Sequence, residues 1–244
     1  YELAVSRPSV IVKEDENGKK QEPYEDLVIE CNEEHQGSIM EVLGPRKADM
    51  KNLEPSSNGR VRMEFKIPAR GLIGFRQTFL TLTKGSGVMT NVFSHYGPWQ
   101  DAPGLERTRK NGALVSMSDG KALAYALFGL QARGTMIVDP GNEVYEGMIV
   151  GINSREEDMT VNPIKGKKLT NMRASGSDDA VILVPPQRFT LEEAIVFIQD
   201  DELVEITPDS IRLRKKYRTE QEAKQAKRDE AMRRQQALQA AGKR

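Results

Sequence analysis

A stretch in the second half of the sequence, IKGKKLTNMRASGSDD at 164–179, has the residue types that bind phosphate. Its basic residues all precede the first acid, Asp178: Lys165, Lys167, Lys168 and Arg173. Lysines and arginines beside a nucleic-acid backbone displace condensed counterions, so such a cluster gains phosphate affinity that falls as salt rises. Asn171 adds hydrogen-bonding groups, and the neighbouring glycines and serines lower the steric barrier to close approach. The stretch therefore predicts contact with a phosphate backbone.

The length of the surrounding segment favours this interpretation, although a solvated loop without a partner would have a similar composition. Residues 153–179 are predicted to connect two strands, and this connection is much longer than a compact domain needs. Long loops in compact domains are usually functional or disordered. We expect this one to be disordered without RNA, because glycine, serine and like charges give it little to pack against.

Two further basic areas are candidates for nucleic-acid contact. The first contains Arg60 and Arg70, with other bases nearby. The charged outer face of an amphipathic strand explains this area more simply than RNA contact does. The second is RLRKKYR at 212–218, where a tyrosine is interleaved with bases. It would either bind RNA or keep the end of a strand soluble.

Sequence motifs for catalysis and metal binding are absent. A P-loop needs GxxxxGK followed by Ser or Thr, and neither Gly120-Lys121 nor Gly166-Lys167 has the earlier glycine. HExxH, GxSxG and paired CxxC motifs are missing as well. One cysteine and two histidines are too few for a metal site or a Cys/His pair. We therefore predict no catalytic site, no metal and no cofactor within this chain.

The composition predicts a soluble chain of two domains with separated patches of charge. The 244 residues exceed one typical domain, and 38% hydrophobic with 30% charged residues suffice for ordinary cores. The longest apolar run is too short for a membrane span, and the single cysteine fits a reducing cytoplasm. The net charge is zero, but acids concentrate at 22–34 and 200–209. The sequence opens at Tyr1 in a β-rich string, which we interpret as part of a longer protein.

The first part of the sequence has the element order of a ferredoxin-like domain. Strands are predicted at EPYEDLVIECN, at 51–55, at RVRMEFKIPAR and at GVMTNVFSHYG, and helices at EEHQGSIMEVL and GLIGFRQTFLTLTKGSG. In the third strand, apolar residues alternate with charged ones, which is typical of a half-buried strand. The order βαββαβ at 22–100 predicts an antiparallel sheet with two helices on one face.

The second part, 101–218, is predicted to be mainly β with short helices. Its β-like segments are GALVSMS, KALAYAL, GTMIVD, VYEGMIVGI, MTVNPI and AVILVPP. A short helix is predicted at ALFGLQARG, and the capping boxes at 190–193 and 219–222 begin two more. The tail, 219–244, is charged nearly all round, which predicts a solvated terminal helix. The fold class is therefore α+β.

Several phrases in the sequence resemble the BipA/TypA family of bacterial translational GTPases. They are ELAVSRPSVI, EPYE, ARGLIGFR, FSHYGPW, ALFGLQARG, VYEGMIVGI, GKKLTNMRASGSDDAVILVPP and LVEITPDSIRLRKK. The resemblance implies that 1–21 closes the preceding domain III and that 22–100 is similar to domain V of elongation factor G. It implies that 101–218 is the C-terminal domain peculiar to the family. The tail at 219–244 matches nothing that can be carried over.

The resemblance further implies a ribosome-associated GTPase linked to large-subunit assembly, to stress and cold adaptation and to virulence. The family's P-loop, with GTP and Mg²⁺, lies in N-terminal domains that this sequence lacks, so this chain is expected to have no enzymatic activity. In the family, the long loop of the C-terminal domain reaches the ribosomal A site near the acceptor end of tRNA. The matching segment, 153–179, adds Arg155 to the candidates, and Lys51, Arg60 and Arg70 become candidate rRNA contacts near the stalk base.

The leading hypothesis is a non-catalytic, cytoplasmic module that binds the 70S ribosome and its large subunit. Its predicted contacts are phosphates of 23S rRNA and A-site tRNA, with ribosomal proteins near the stalk base as further partners and no membrane. The alternative is a protein-interaction module that docks ribosomal proteins or an assembly factor through the acidic areas at 22–34 and 200–209. A third hypothesis, an unrecognised hydrolase, would require turnover by the chain itself.

Overall fold

The computed structural model describes residues 3–56, 58–106, 109–166, 182–219, 221–226, 228–229 and 231–232. The chain divides into two compact units, and each has a hydrophobic core of its own. The first unit is Arg7–Thr108, and the second combines Tyr1–Ser6 with Arg109–Arg244. Strand β1 (Leu3–Ser6) therefore belongs to the second unit although it opens the sequence.

The first unit is an antiparallel sheet with helices in the connections. Its strands are β2 (Lys13–Glu14), β3 (Lys20–Asn32), β4 (Asp49–Ser56), β5 (Arg60–Pro68) and β6 (Val88–Pro98). Its helices are a 3₁₀ turn (Glu33–His35), α1 (Gln36–Leu43), α2 (Ala69–Leu72), α3 (Phe75–Leu82) and α4 (Pro103–Glu106). The four long strands lie in the order β4-β5-β3-β6, and β2 pairs with the start of β3. This is the predicted ferredoxin-like βαββαβ arrangement, which the structure confirms.

Alternation along β5 determines which face of this sheet is buried. Four alternate residues are at most 4% exposed: Val61, Met63, Phe65 and Ile67. They form one cluster with Leu27 and Ile29 of β3 and with Phe75 and Phe79 of α3. Because successive side chains in a strand point to opposite faces, the intervening charged residues of β5 lie on the other face.

The second unit is mainly β, as predicted. Its remaining strands are β7 (Ala113–Ser116), β8 (Gly120–Lys121), β9 (Gly134–Met136), β10 (Glu143–Val144), β11 (Ile149–Asn153), β12 (Met159–Val161), β13 (Glu202–Ile206) and β14 (Ile211–Lys215). Its helices are α5 (Ala124–Leu130) and α6 (Leu191–Phe197), with further helical residues at 221–226, 228–229 and 231–232. The strands form three sheets, ordered β12-β7-β11-β9, β1-β13-β14 and β10-β8.

Strand β7 lies between two hydrophobic clusters, so it is buried at every position. Leu114 packs in the cluster that contains Leu127 of α5, whereas Ala113 packs in the cluster that contains Ala194 of α6. A strand covered on both faces is expected to be apolar throughout, as β7 nearly is. The two helices thus lie against opposite faces of this strand.

The predicted capping boxes are present at both positions. The Thr190 side chain accepts a hydrogen bond from Glu193 N, and the Glu193 carboxylate accepts one from Thr190 N at 2.9 Å. Thr219 and Glu222 form the same reciprocal pair, with Glu222 N donating to Thr219 Oγ1 at 3.1 Å. Residues beyond 232 of the predicted terminal helix lie outside the described part of the chain.

Three local predictions for the second unit need correction. KALAYAL is a strand only at its first residue, and α5 begins at Ala124, because the helical spacing of its apolar residues buries Leu127 and Leu130. The described part of AVILVPP, 182–186, contains no strand, and its two prolines have no N–H to donate to a sheet. The connection predicted at 153–179 is divided by β12, which lies in the predicted β segment MTVNPI and pairs in parallel with β7.

The segment 1–21, predicted as the end of a preceding domain, is divided between the two units. Strand β1 pairs antiparallel with β13, and Leu3 lies opposite Ile206. Strand β2 pairs with β3, and Lys13 lies opposite Gln21. Strand pairing joins residues that are distant in sequence, so the pattern of 1–21 alone does not indicate this division.

Candidate nucleic-acid interface

A tightly hydrogen-bonded turn between β11 and β12 presents Arg155. Asn153 is 2% exposed, its Nδ2 donates to Glu157 O at 2.5 Å, and its Oδ1 accepts from Arg155 N at 3.3 Å. Gly112 N donates to Arg155 O at 2.8 Å. A Cβ on Gly112 would lie 2.1 Å from Glu157 O, so only glycine fits this close approach. The Arg155 side chain is exposed, and it forms no ion pair with any residue that the structure describes.

Lys165 follows β12 at a second fixed point of the backbone. Asn162 Oδ1 accepts a hydrogen bond from Ile164 N at 3.0 Å, and Leu123 N donates to Pro163 O at 2.9 Å. Ile164 packs against the cluster on the α5 side of β7. Lys165 itself is exposed, so its charge is held at the surface where the chain continues into the basic stretch.

The other candidates of this segment lie outside the described residues: Lys167, Lys168, Asn171 and Arg173. The predicted disorder of the segment without RNA concerns the same residues and stays a prediction. The structure therefore describes two of the candidate cations in 153–179, Arg155 and Lys165, which lie on either side of β12.

Arg70, a candidate from the first basic area, is buried in a satisfied cluster. Its side chain is 10% exposed, and Nε and Nη2 lie 2.6 Å and 3.0 Å from the carboxylate oxygens of Glu22, which is fully buried. Nη2 also donates to Gln100 O at 2.7 Å, and the guanidinium lies 3.5 Å from the centre of the Trp99 ring. Because these contacts occupy the guanidinium, Arg70 does not enter the interface proposed below.

Lys51 and Arg60 lie on neighbouring strands but are not adjacent. Lys51 is 53% exposed, and its Nζ lies 2.5 Å from Asp49 Oδ2. Arg60, opposite Ser56 near the other end of the β4–β5 pairing, donates from Nη2 to Ser86 O at 3.3 Å. Its Nε is buried and has no hydrogen-bond partner among the described residues. Both residues retain donors for a phosphate, but the structure does not bring them together.

The outer face of the ferredoxin-like sheet carries charges that are paired with one another. Arg62 lies 3.4 Å from Glu30 and 3.2 Å from Glu64, and Lys66 lies 3.8 Å from Asp26. Neighbouring carboxylates reduce the attraction of these cations for phosphate. This face therefore has mixed charge rather than a continuous basic surface.

Two bases of the run RLRKKYR form ion pairs inside the second unit, whereas Lys216 and Arg218 are exposed. Lys215 Nζ lies 2.6 Å from Asp158 Oδ2 and 2.9 Å from Glu202 Oε1, and Arg214 pairs with Glu205. Burial opposes the charge of Lys215, but the carboxylate of Glu202 and the hydrogen bond with Asp158 outweigh it, so its pKa is raised. For Asp158, burial is likewise outweighed by hydrogen bonds from Lys215 and Ala113 N, so its pKa is lowered.

The acidic areas at 22–34 and 200–209 contribute fewer surface charges than their sequences indicate. Glu22 and Glu202 are fully buried, and Glu202 forms a bidentate pair with Arg109 at 2.7 Å and 3.1 Å. Their negative charges therefore pair with buried arginines inside the units and do not contribute to an acidic surface. Exposed acids remain at Glu33 and at other positions in both areas.

An exposed pair of aromatic residues on α5 was missed in the sequence. Tyr125 and Phe128 are 47% and 48% exposed, and they border a groove that also contains Arg133 and Lys165. The available signal was their i, i+3 spacing, which places two side chains on one face of a helix. It was hidden because Tyr125 lies in KALAYAL, which also has a strand-like composition, whereas Phe128 lies in the predicted helix ALFGLQARG.

The described residues contain neither a membrane-spanning helix nor a cluster of metal-binding side chains. No helix in this part of the chain has the length and apolar character needed to cross a membrane. The same residues contain no group of three or more His, Cys, Asp or Glu side chains arranged to hold a metal ion.

Two family models match consecutive parts of the chain. Residues 19–106 match the elongation factor G C-terminus, and residues 111–220 match the TypA/BipA C-terminal domain. These ranges include every residue of the candidate interface and leave the chain after residue 220 unmatched.

Curated relatives are similar over almost the whole chain. A protein of Escherichia coli (strain K12) named large ribosomal subunit assembly factor BipA is 57% identical over 228 residues, which are 93% of this chain and 37% of that protein. A protein of the same name from Haemophilus influenzae is 58% identical over 93% of this chain and 36% of its own length. The chain thus spans little more than a third of the relatives that it matches.

Proposed function

The chain belongs to the TypA/BipA family, and from this premise we propose that it is the ribosome- and RNA-binding C-terminal region of a translational GTPase. The name of its relatives, large ribosomal subunit assembly factor, supports the large subunit as its partner. The whole protein would hydrolyse GTP with Mg²⁺ in domains outside this sequence. It would act in the cytoplasm, in large-subunit assembly, stress adaptation and the regulation of translation, and this chain would contribute binding.

The observation that carries the proposal is the pair of exposed cations on either side of β12. Arg155 and Lys165 are held by hydrogen-bonded backbone, and their charges are not neutralised by carboxylates of the described residues. Because the backbone that carries these two cations is already ordered, no loop has to be ordered when a phosphate binds there. Lys167, Lys168, Asn171 and Arg173 continue this surface in the sequence. We assign to the set the phosphates of 23S rRNA and A-site tRNA.

Lys51 and Arg60 extend the proposal to the first unit as weaker contacts. Lys51 is exposed beside a single carboxylate, and Arg60 is half-buried on the neighbouring strand without a carboxylate partner among the described residues. Their proposed partner is rRNA near the stalk base, where ribosomal proteins would also be close. Since they lie apart on the sheet, we expect each to contact a different phosphate.

Binding to purified large ribosomal subunits over a range of salt concentrations tests the proposal. The variants are Arg155→Ala/Lys165→Ala and Lys167→Ala/Lys168→Ala/Arg173→Ala. Each lost phosphate contact should flatten the slope of log K against log salt by about 0.7 to 0.9, so both variants should bind more weakly and with a shallower slope. Lys110→Ala/Lys121→Ala is the matched control, because it removes two exposed charges from the same unit.

The control separates a local surface from a general effect of charge. If it weakens binding as much as Arg155→Ala/Lys165→Ala does, the assignment to 153–179 is wrong. Unchanged curves for both loop variants would remove this segment from the interface and favour docking of ribosomal proteins through the acidic areas. Binding that barely depends on salt would point to the same alternative.

A further inference from the structure

A groove beside α5 combines aromatic and basic side chains without any carboxylate. It has a volume of about 460 Å³, within the range of sites for small ligands. The residues that line it are Tyr125, Ala126, Phe128, Gly129, Leu130, Arg133, Thr160, Val161, Asn162 and Lys165. Every charged group among them is therefore positive. The acids of the preceding turn, at 156–158, are not part of the lining.

The aromatic wall of the groove is held by the buried face of α5. Leu127 and Leu130 are 1% and 9% exposed in the core, so the helix is anchored and its opposite side faces solvent. Tyr125 and Phe128, three positions apart, are about half exposed on that side. Gly129 follows them, and a Cβ there would meet nothing within 4 Å, so the space beside the rings is open.

The basic wall is anchored as well. Arg133 O accepts a hydrogen bond from Ser154 N at 2.9 Å, and its Nη1 lies 3.2 Å from Met159 Sδ, a contact with no negative charge. Lys165 reaches the groove from the chain that leaves β12. The backbone bond to Ser154 also places Arg133 next to the turn that presents Arg155. The groove is thus continuous with the proposed phosphate-binding surface.

We propose that this groove binds an unpaired nucleotide of an RNA strand, with its base stacked on Tyr125 or Phe128 and its phosphate at Arg133 and Lys165. Aromatic platforms beside cations bind single-stranded nucleic acid with little sequence preference, because every base has a π-face. A protein partner would have to bring acids to these cations and apolar groups to the rings. RNA supplies the anion and the ring in each nucleotide, and it is already the partner of the adjoining surface under the proposed function, on which this inference rests.

Titration of the complete chain with two fluorescently labelled oligomers tests the groove. One is a short oligouridine RNA, and the other has the same backbone with abasic sites, so it retains the phosphates and lacks the rings. The variants are Tyr125→Ala/Phe128→Ala and Tyr125→Leu/Phe128→Leu, the second of which keeps apolar surface but cannot stack a base. Phe93→Ala, at a 57% exposed aromatic of the other unit, is the control.

Both variants should raise the Kd for oligouridine at least about fivefold, since stacking of one base contributes roughly 1 kcal/mol or more. Their salt slope and their binding to the abasic oligomer should equal those of the wild type. The Phe93→Ala control should bind both oligomers normally. Circular dichroism and thermal unfolding of the Leu variant verify that the chain remains folded.

Four outcomes would overturn the inference, and they are distinguishable from failure of the proposed function alone. Equal binding of the two oligomers by the wild type would leave phosphate contact standing and remove the base site. Wild-type affinity of the Leu variant would mean that the groove accepts any apolar group. If Tyr125→Ala/Phe128→Ala bound large subunits more weakly but bound oligouridine like the wild type, the groove would contact a ribosomal protein. A wild type that binds neither oligomer nor large subunits would refute the proposed function together with the groove.

Discussion

Basic residues of the two units differ in what surrounds their charges. In the first unit, Arg70 is enclosed by Glu22 and Trp99, and the exposed Arg62 lies between two carboxylates. In the second unit, Arg155 and Lys165 are exposed without an ion pair among the described residues. A cation that already has its counter-ion gains less from a phosphate, so the second pair is the better binding surface.

The second unit uses a buried arginine in the same way as the first. Arg109 forms a bidentate pair with fully buried Glu202, and its guanidinium lies 4.5 Å from the centre of the Phe197 ring. Arg70 and Glu22 repeat this arrangement with Trp99. Each pair joins segments distant in sequence within one unit, so we infer that each arginine stabilises the fold of its own unit. The comparison teaches that the surroundings of a cation, rather than its presence in a basic run, indicate its role.

The largest effect should come from breaking the buried pair of the first unit. In Arg70→Ala the Glu22 carboxylate is left buried without its counter-ion, which should lower the free energy of unfolding by about 3 to 5 kcal/mol. Trp99 is the single tryptophan and contacts Arg70, so its fluorescence during urea denaturation reports this unit. When the concentration of Arg70→Ala is corrected for its unfolded fraction, its binding to large subunits should retain the wild-type salt slope.

Two further variants sharpen this test. Arg62→Ala, at a 44% exposed pair, should change the unfolding free energy by at most about 1 kcal/mol. Glu22→Leu/Arg70→Met removes both charges together and should recover most of the lost stability. If Arg70→Ala unfolds like the wild type and instead flattens the salt slope, Arg70 is a binding residue and the comparison fails.

An intermediate loss of stability is expected when Asp158, whose carboxylate contacts both Lys215 and β7, is replaced. Asp158 accepts from Ala113 N at 2.7 Å and pairs with Lys215. Its side chain is 39% exposed, so Asp158→Asn should destabilise the second unit by only about 1 kcal/mol at neutral pH. Asp209→Asn, at an exposed acid, is the control, and unfolding followed by far-ultraviolet circular dichroism measures both.

The difference in unfolding free energy between the wild type and Asp158→Asn should become smaller as the pH falls. Because the pKa of Asp158 is lowered in the folded state, its contribution is present above the unfolded pKa of about 4 and is lost as pH falls through the folded value. The raised pKa of Lys215 gives stability that is present below about pH 10 and is lost at higher pH. If the difference in unfolding free energy grew on acidification, the assigned contacts of Asp158 with Lys215 and Ala113 N would be wrong.

The smallest effect on stability should come from the exposed cations. Arg155→Ala/Lys165→Ala should change the unfolding free energy by no more than about 0.5 kcal/mol, because neither side chain is packed or paired within the described structure. The same variant should weaken binding to large subunits, as proposed above. A clear loss of stability would show that these charges have structural partners and would remove the contrast with Arg70.

Much of the fold was predictable because its signals are local. Alternation along 60–68 predicted the buried face of β5, and the Thr190–Glu193 capping box predicted the start of α6. Helical and strand patterns overlap in short apolar segments, however, so KALAYAL was assigned to a strand although α5 begins within it. The exposed aromatic pair on that helix was missed for the same reason.

The sequence alone determined the order of elements in 22–100, the β-rich character of the second part and the basic composition of 164–179. These depend on side-chain periodicity, caps and composition, which are read from neighbouring residues. Only the tertiary structure decided which charges are free. Glu22 and Arg70 are 48 residues apart, and Arg109 and Glu202 are 93 apart, yet both pairs are in contact. Because an ion pair requires proximity in space, no local pattern could separate buried Arg70 from exposed Arg155.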